Sequence, residues 1–426
     1  MTEPQTPEVS LIPRLTRDPA FWGMTAAQFL GAFNDNILKE VVLLLCSANK
    51  ALTTGARDDQ PLAMALFALP FVLFSGVAGF LSDRHSKRTV VVLCKLAEIV
   101  IVLLAVGSLM SGYFPATLAV LFLMGTHSAF FGPSKYGILP ELVRERDLPP
   151  ANGMFLMTTF IGIIFGTAAA GHLMAFIPGR LEWVALAFAG TATLGLTASL
   201  FVRKTPVARR ELAFLFSDLA IDGETVHLIL HDRQLFKALV MSSLFWLVGG
   251  IVQPAVNAFG ERQLQVGHES TSWMVACLGI GIASGCMFAG IRSRNRSGSH
   301  LITWGAWGIV ACLGLLWLLG MSPLATGQVV WCSRIGLAAL GGFAGLFSVP
   351  LQVFIQARPP AAQKGRVIGA MNLTNWVAIL LAAGLQGAFN AVIDQFHLPI
   401  STVFAATALL ILPAALLYTP PEMSLK

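Results

Sequence analysis

Gly79-Phe80-Leu81-Ser82-Asp83-Arg84-His85-Ser86-Lys87-Arg88 closes a segment, 61–81, that carries no charged residue at all. A helix needs about 20 mostly apolar residues to cross a hydrocarbon core of roughly 30 Å. The segment therefore reads as a membrane span, and the cluster Asp83, Arg84, Lys87 and Arg88 as the loop where it leaves the bilayer.

The rest of the chain agrees. Of its 426 residues 55% are apolar and only 12% charged, and the mean hydropathy is +0.72; soluble domains carry roughly a quarter of charged residues. Twelve candidate spans follow one another: 21–45, 61–81, 89–110, 114–132, 152–177, 182–202, 235–257, 271–290, 301–320, 328–351, 367–390 and 399–418. The expected fold is an all-α polytopic membrane protein. The short polar start with Arg14 and Arg17, with no small-residue cleavage site after the first span, reads as preceding an uncleaved first helix.

An even number of spans places both termini on one side. Assigning them and the even-numbered loops to one face gathers 20 basic residues there and leaves four, Lys50, Arg57, Arg180 and Arg262, on the other. Basic loops stay in the cytoplasm, so both termini are expected there. The pI near 9.1 thus reports membrane orientation and not nucleic-acid binding.

The longest loop lies at the chain midpoint and suggests a bundle over 1–202, a cytoplasmic linker over 203–234 and a second bundle over 235–426. In the linker Leu212, Phe216 and Leu219 recur at helical spacing beside Arg209, Arg210 and Asp218, as in a helix lying on the inner membrane surface. The halves echo each other. Phe131-Gly132-Pro133 and Met154 match Phe347-Ser348-Val349-Pro350 and Met371, with Pro and Met both offset by 217. Repeats of this kind build transporters whose site lies between the halves.

The first span is the costly one: 26–40 reads Ala-Ala-Gln-Phe-Leu-Gly-Ala-Phe-Asn-Asp-Asn-Ile-Leu-Lys-Glu. A charge near a bilayer centre costs roughly 2.5–3.5 kcal/mol on insertion scales and marks a functional site by default. At 100° per residue Gln28, Asp35 and Lys39 share one stripe. Asp35 lies about 21 Å along the helix from Phe21, past the midplane. Asn34 and Asn36 flank it. The plainer alternative is an internal Asp35–Lys39 pair that makes the helix insertable.

Other polar groups have plain readings too. Lys95 and Glu98, one turn apart, read as a structural pair with Lys95 snorkelling inward. Gln253 and Asn257 share a face, as do Asn372 and Asn375, which suits hydrogen bonds between helices. Arg334 is a candidate for the outer gate or for snorkelling, and His127 reads as a satisfied core histidine. Six cysteines without a C-x-x-C argue for neither disulfides nor metal. No nucleophile elbow, phosphate loop or metal cluster appears, so neither an enzyme nor a cofactor is expected.

The loop 79–88 resembles the G-x-L-x-D-R-x-G-R-K signature of the major facilitator superfamily, with Ser86 in place of a glycine and Lys87-Arg88 in swapped order. Its expected role is a latch in which Asp83, with Arg84, Lys87 and Arg88 nearby, accepts from helix ends and basic groups while the inner side is closed. The fold implied is twelve helices in two six-helix halves. Phe131-Gly132-Pro133-Ser134-Lys135-Tyr136-Gly137-Ile138-Leu139-Pro140-Glu141-Leu142, then Ala151-Asn152-Gly153, with 28–36 and Ser243-Leu244-Phe245-Trp246, is similar to the bacterial lysophospholipid transporters of that superfamily.

The resemblance implies a flippase-like inner-membrane carrier that moves lysophospholipids inward for re-acylation by a cytoplasmic-side acyltransferase. The headgroup site is expected at Asp35, Lys39 and Gln253, with Gln28, Asn34, Asn36 and Asn257 beside them, and gating at Asp83, Arg84, Lys87, Arg88, Lys135, Tyr136 and Arg334. Where that family has an arginine seven residues past the Trp, this chain has Gln253, which cannot offer a phosphate the same charge. A proton-coupled exporter of amphipathic compounds, with Asp35 as proton site, and a scaffold that transports nothing remain the alternatives.

Overall fold

The computed structural model describes residues 12–52, 59–176, 181–214, 219–294 and 298–420. They hold twelve long helices: α1 Pro19–Leu52, α2 Gln60–Arg84, α3 Lys87–Ser111, α4 Phe114–Gly137, α5 Leu148–Phe176, α6 Leu181–Leu200, α7 Arg233–Ala258, α8 Gly267–Arg292, α9 Ser299–Met321, α10 Thr326–Ala357, α11 Lys364–Phe396 and α12 Thr402–Leu417. Nine of these are long and apolar enough to cross a membrane by themselves. Of the other three, α1 carries its internal charges, and the apolar stretches of α6 and α12 are shorter.

Most helices pair mainly within their own half, while α5 and α11 also pack extensively on the other. In the first, α1 packs on α5 and α6, α2 on α4, and α3 on α4 and α6; in the second, α8 packs on α10, α9 on α10 and α12, and α7 on α11. The outer helices show why a bilayer is the solvent. Leu93, Val100 and Leu103 of α3, Trp304 and Leu318 of α9 and Leu409 of α12 are all exposed. A belt of that size on a protein in water would drive association.

The two halves meet along two seams, α2 against α11 and α5 against α8. Lipid is as apolar as a side chain, so helices in a bilayer are held by close packing of small residues rather than by hydrophobic drive. Both seams follow that rule. A Cβ on Gly369 would lie 2.6 Å from the Ser75 carbonyl oxygen, and one on Gly153 would lie 2.6 Å from that of Cys286. Backbone touches backbone there.

All of these contacts sit at the ends of the helices that carry the basic loops, the basic face. Midway along, Trp376 of α11 stacks on Phe71 of α2 at 4.0 Å, and Phe160 of α5 lies 6.3 Å from Trp246 of α7. Beyond that level toward the opposite face, Leu62 and Met64 of α2, Gln253 and Asn257 of α7 and Leu381 and Val392 of α11 are exposed. The close contacts between the halves thus gather at the basic face and midway along the helices.

The linker differs from expectation. Residues 212–214 are not helical, and Phe216 and Asp218 lie outside the described residues. The helix found is Gly223–His231, which begins where the Asp222 side chain accepts from the Thr225 N–H at 3.0 Å. An Asx cap outweighs apolar spacing in fixing a helix start.

Candidate functional site

Two polar constellations stand out, one inside the first half and one at the basic end of the seams. The first begins with α1. Its residues do not form one open stripe, because neighbouring helices claim them singly. Gln28, fully buried, donates to the Phe155 carbonyl at 3.3 Å and to Thr158 Oγ1, and accepts from Thr159 Oγ1 at 2.8 Å, all on α5. Asn34 donates to Glu98 Oε1 at 2.8 Å and accepts from Thr191 Oγ1 of α6.

Asp35 and Lys39 are not paired. Ser128 Oγ of α4 donates to Asp35 Oδ2 at 2.5 Å, whereas Lys39 turns to Asn36 Oδ1 at 2.7 Å and lies 5.9 Å from the centre of the Phe67 ring. Asn36 Nδ2 donates to the Ala32 carbonyl at 2.7 Å. Asp35 Oδ1 is buried without a hydrogen-bond partner.

Lys95 corrects the snorkelling expectation. It is fully buried, with Nζ 2.6 Å from Glu98 Oε2 and 5.0 Å from the Phe131 ring centre. Glycines of two helices make the space: a Cβ on Gly31 of α1 would lie 2.6 Å from that Nζ, and one on Gly195 of α6 3.5 Å. His127 is buried, with Nε2 3.7 Å from Glu98 Oε2 and a hydrogen bond between its ring and the Cys94 backbone.

The remaining candidates scatter. Lys135 Nζ reaches Thr159 Oγ1 at 3.4 Å and lies 5.0 Å from the Tyr136 ring centre, and Tyr136 packs against apolar residues of the second half. Arg334 stays within its own half, donating to Ser270 of α8 at 3.0 Å beside Trp331. Gln253 and Asn257 are exposed. Asn375 accepts from Ser242 and Ser243 of α7 at 3.1 and 3.3 Å.

The second constellation is centred on Asp83, fully buried at the end of α2. Helix α11 has no side-chain cap of its own at Gln363. Its second and third N–H groups, those of Gly365 and Arg366, donate instead to Asp83 Oδ1 at 2.7 Å and Oδ2 at 3.1 Å. A carboxylate from the other half thus serves as N-cap and meets the positive end of the helix dipole, together about 1–2 kcal/mol.

Arg366 joins the linker to this cap. Its Nε approaches Asp83 Oδ2 at 3.4 Å, and its Nη1 donates to Asp222 and Glu224 at 3.0 and 3.1 Å. Arg209 adds a 3.0 Å bond to Glu224. Slight burial raises the Glu224 carboxyl, but hydrogen bonds and charge from Arg366 and Arg209 outweigh it and hold it below the usual carboxylate range. Asp232 is also held low, burial being outweighed by Arg358 and the backbone N–H groups it caps.

Lys87, buried, pairs with Glu141; Arg88 donates to the Val202 carbonyl at 2.6 Å and to that of Leu200 at 3.4 Å beyond α6; Arg84 lies over Phe80 at 5.6 Å. Two further ties cross between halves at this level, Arg294 to Asp147 at 2.7 Å and Asn152 with Gln356 at 2.8 and 2.9 Å. Sequence reading did not single out Arg366, Asp222, Glu224, Asp147 or Gln356. The available signal was Lys364-Gly365-Arg366 at the start of an apolar span, a helix start lacking an Asx or Ser cap.

Among known proteins, the lysophospholipid transporter LplT of Photorhabdus laumondii is 28% identical over 385 residues, 88% of each chain. That of Cronobacter sakazakii is 27% identical over 394 residues, covering 90% of this chain and 91% of its own. Solved structures share the fold at low identity. The proton:xylose symporter XylE, bound to 6-bromo-6-deoxy-D-glucose, has a TM-score of 0.72 at 14% identity over 96% of this chain and 97% of its own. The human organic anion transporter MFSD10 has 0.70 at 16% over 95% and 99%. A family model described as Major Facilitator Superfamily matches residues 24–383. With twelve long helices among the described residues, in two halves joined at one face, the chain is a membrane transporter and belongs to the Major Facilitator Superfamily.

Proposed function

We propose that this transporter carries lysophospholipids across a bacterial inner membrane by alternating access, delivering them to the cytoplasmic leaflet, where a separate acyltransferase re-acylates them. Likeness over about nine-tenths of the chain to proteins named lysophospholipid transporter supports the substrate class. The 20-to-4 distribution of loop charge supports a cytoplasmic basic face with both termini on it. The latched state is then the one that loads from outside.

A lysophospholipid has one chain and one polar head, so only the head needs polar company while the chain stays along apolar walls. The observation that carries the site is Asp35, a carboxylate inside a span with one oxygen held by Ser128 and the other unpartnered. An ammonium headgroup satisfies it. Lys39 and the exposed Gln253 and Asn257 serve the rest of the headgroup across the cleft, and no catalysis is involved.

The test is Asp35→Asn in proteoliposomes. Transport of lysophosphatidylethanolamine falls tenfold or more, while lysophosphatidylglycerol, which has no ammonium, is spared. The same unpartnered oxygen favours one other reading, a proton-coupled exporter. In that case both lipids lose driven movement and passive exchange survives. Equal transport of both lipids at the original rate removes Asp35 from the site.

A further inference from the structure

The face that α7 and α11 turn toward the first half carries amides and no charge. Trp246 of α7 meets Phe160 of α5, and Trp376 of α11 stacks on Phe71 of α2, so these two side chains mark that face. At 100° per residue Gln253 and Asn257 lie within about 20° of Trp246, and Asn390 within about 40° of Trp376. Gln386 falls about 80° from Trp376, between that face and α7. The chain holds no charged residue between Lys237 and Glu261 or between Arg366 and Asp394.

The four amides also share a level. Asn375 accepts from Ser242 and Ser243, at separations of 133 and 132 residues, and a Cβ on Gly250 would lie 2.8 Å from that of Ala382. The same register sets Gln253 level with Gln386 and Asn257 level with Asn390, about 10 and 16 Å beyond Trp246 on the side away from the basic loops. Gln386 is the constrained one. It is 9% exposed, its Nε2 donates to Asn390 Oδ1 at 3.3 Å, and its Oε1 is buried without a partner. Asn375 shows the plain alternative, an amide oxygen taken by side chains of the neighbouring helix. No such donor takes Gln386 Oε1, and buried acceptors left bare are rare.

We infer that Gln386 reads the free hydroxyl on the glycerol backbone of an entering lipid, and so tells a one-chain lipid from a two-chain one. This rests on the lysophospholipid reading of the cargo. The free hydroxyl is what distinguishes such a lipid: it donates a hydrogen bond, and the ester that replaces it in a two-chain lipid cannot. Its hydrogen on Gln386 Oε1 satisfies the buried acceptor, while the N–H groups of Gln253, Asn257 and Asn390 suit phosphoryl oxygens. A cation there would attract the phosphate of either lipid alike. A site built to take a hydroxyl instead rejects the analogue lacking it, because the acceptor is left bare. The contact precedes the one at Asp35. Lys39 lies against Phe67, which meets Trp376, so Asp35 sits a turn farther in than Trp376 and the amides sit farther out.

The test compares lysophosphatidylethanolamine with its deoxy analogue, the same chain and head with hydrogen in place of the backbone hydroxyl. In proteoliposomes, kcat/KM of the native protein is expected to favour the hydroxyl lipid about tenfold. Gln386→Met is expected to slow the hydroxyl lipid and erase the preference. Should that variant not fold, Gln386→Asn, which draws the acceptor back by one methylene, is expected to lower the preference in the same direction. Native protein that moves the two lipids at equal rates overturns the hydroxyl assignment and leaves the lysophospholipid reading standing. A preference that survives in a folded Gln386 variant overturns the role of this residue. If the native protein moves neither lipid, the cargo reading falls and the inference falls with it.

Discussion

Lys95 and Glu98 show what a charge costs inside a membrane helix and how it is met. Removing one partner of a buried ion pair leaves an uncompensated charge, a loss of about 3–5 kcal/mol, whereas replacing both by apolar groups is far milder. Lys95→Met is therefore expected to lower the melting temperature sharply, and Lys95→Met combined with Glu98→Leu to restore much of it. A double variant that loses the sum of the two single losses would mean the pair is not coupled. The spacing of these two residues was legible because i,i+3 neighbours meet on any helix. Their surroundings were not. Asn34 and His127 come from other helices, and Gly31 matters only because Lys95 Nζ lies against it. The Asp35–Lys39 pair failed for the same reason: Ser128 on α4 takes the carboxylate, and nothing in α1 announces that.

Between elements, the deciding contact is the Asp83 carboxylate on the first turn of α11. Asp83→Asn keeps the shape but removes a charge-assisted acceptor, roughly 1.5–3 kcal/mol, enough to move a two-state balance tenfold or more. Cys286, fully buried on the α5–α8 seam, reports it. With the other cysteines replaced by serine, Cys286 is expected to react with a permeant thiol reagent about tenfold faster in Asp83→Asn; an unchanged rate would show that the seam does not depend on this cap. Hydropathy made the spans legible, since a bilayer demands about 20 apolar residues. The ends were not, because helices such as α1 and α10 run on past the hydrocarbon until a cap or turn stops them. The linker helix was misplaced on the same account: Asp222 sets its start.

At the scale of the molecule, the two faces differ in charge and in closure. His85, exposed in the α2–α3 loop, and Leu324, exposed between α9 and α10, lie on opposite sides. A cysteine in place of His85 is expected to label in intact cells only after permeabilisation, and one in place of Leu324 to label at once; the reverse would invert the orientation proposed from the loop charges. The borrowed cap on α11 carries a further consequence. Because the acceptor for the Gly365 and Arg366 amides belongs to the opposite bundle, parting the bundles at the basic face strips the first turn of its end and lets it fray. Amide hydrogens at those two positions then trade with deuterium only in the unlatched interval, so their protection reports the fraction of time the carrier spends open at that face, without any label or cargo being followed.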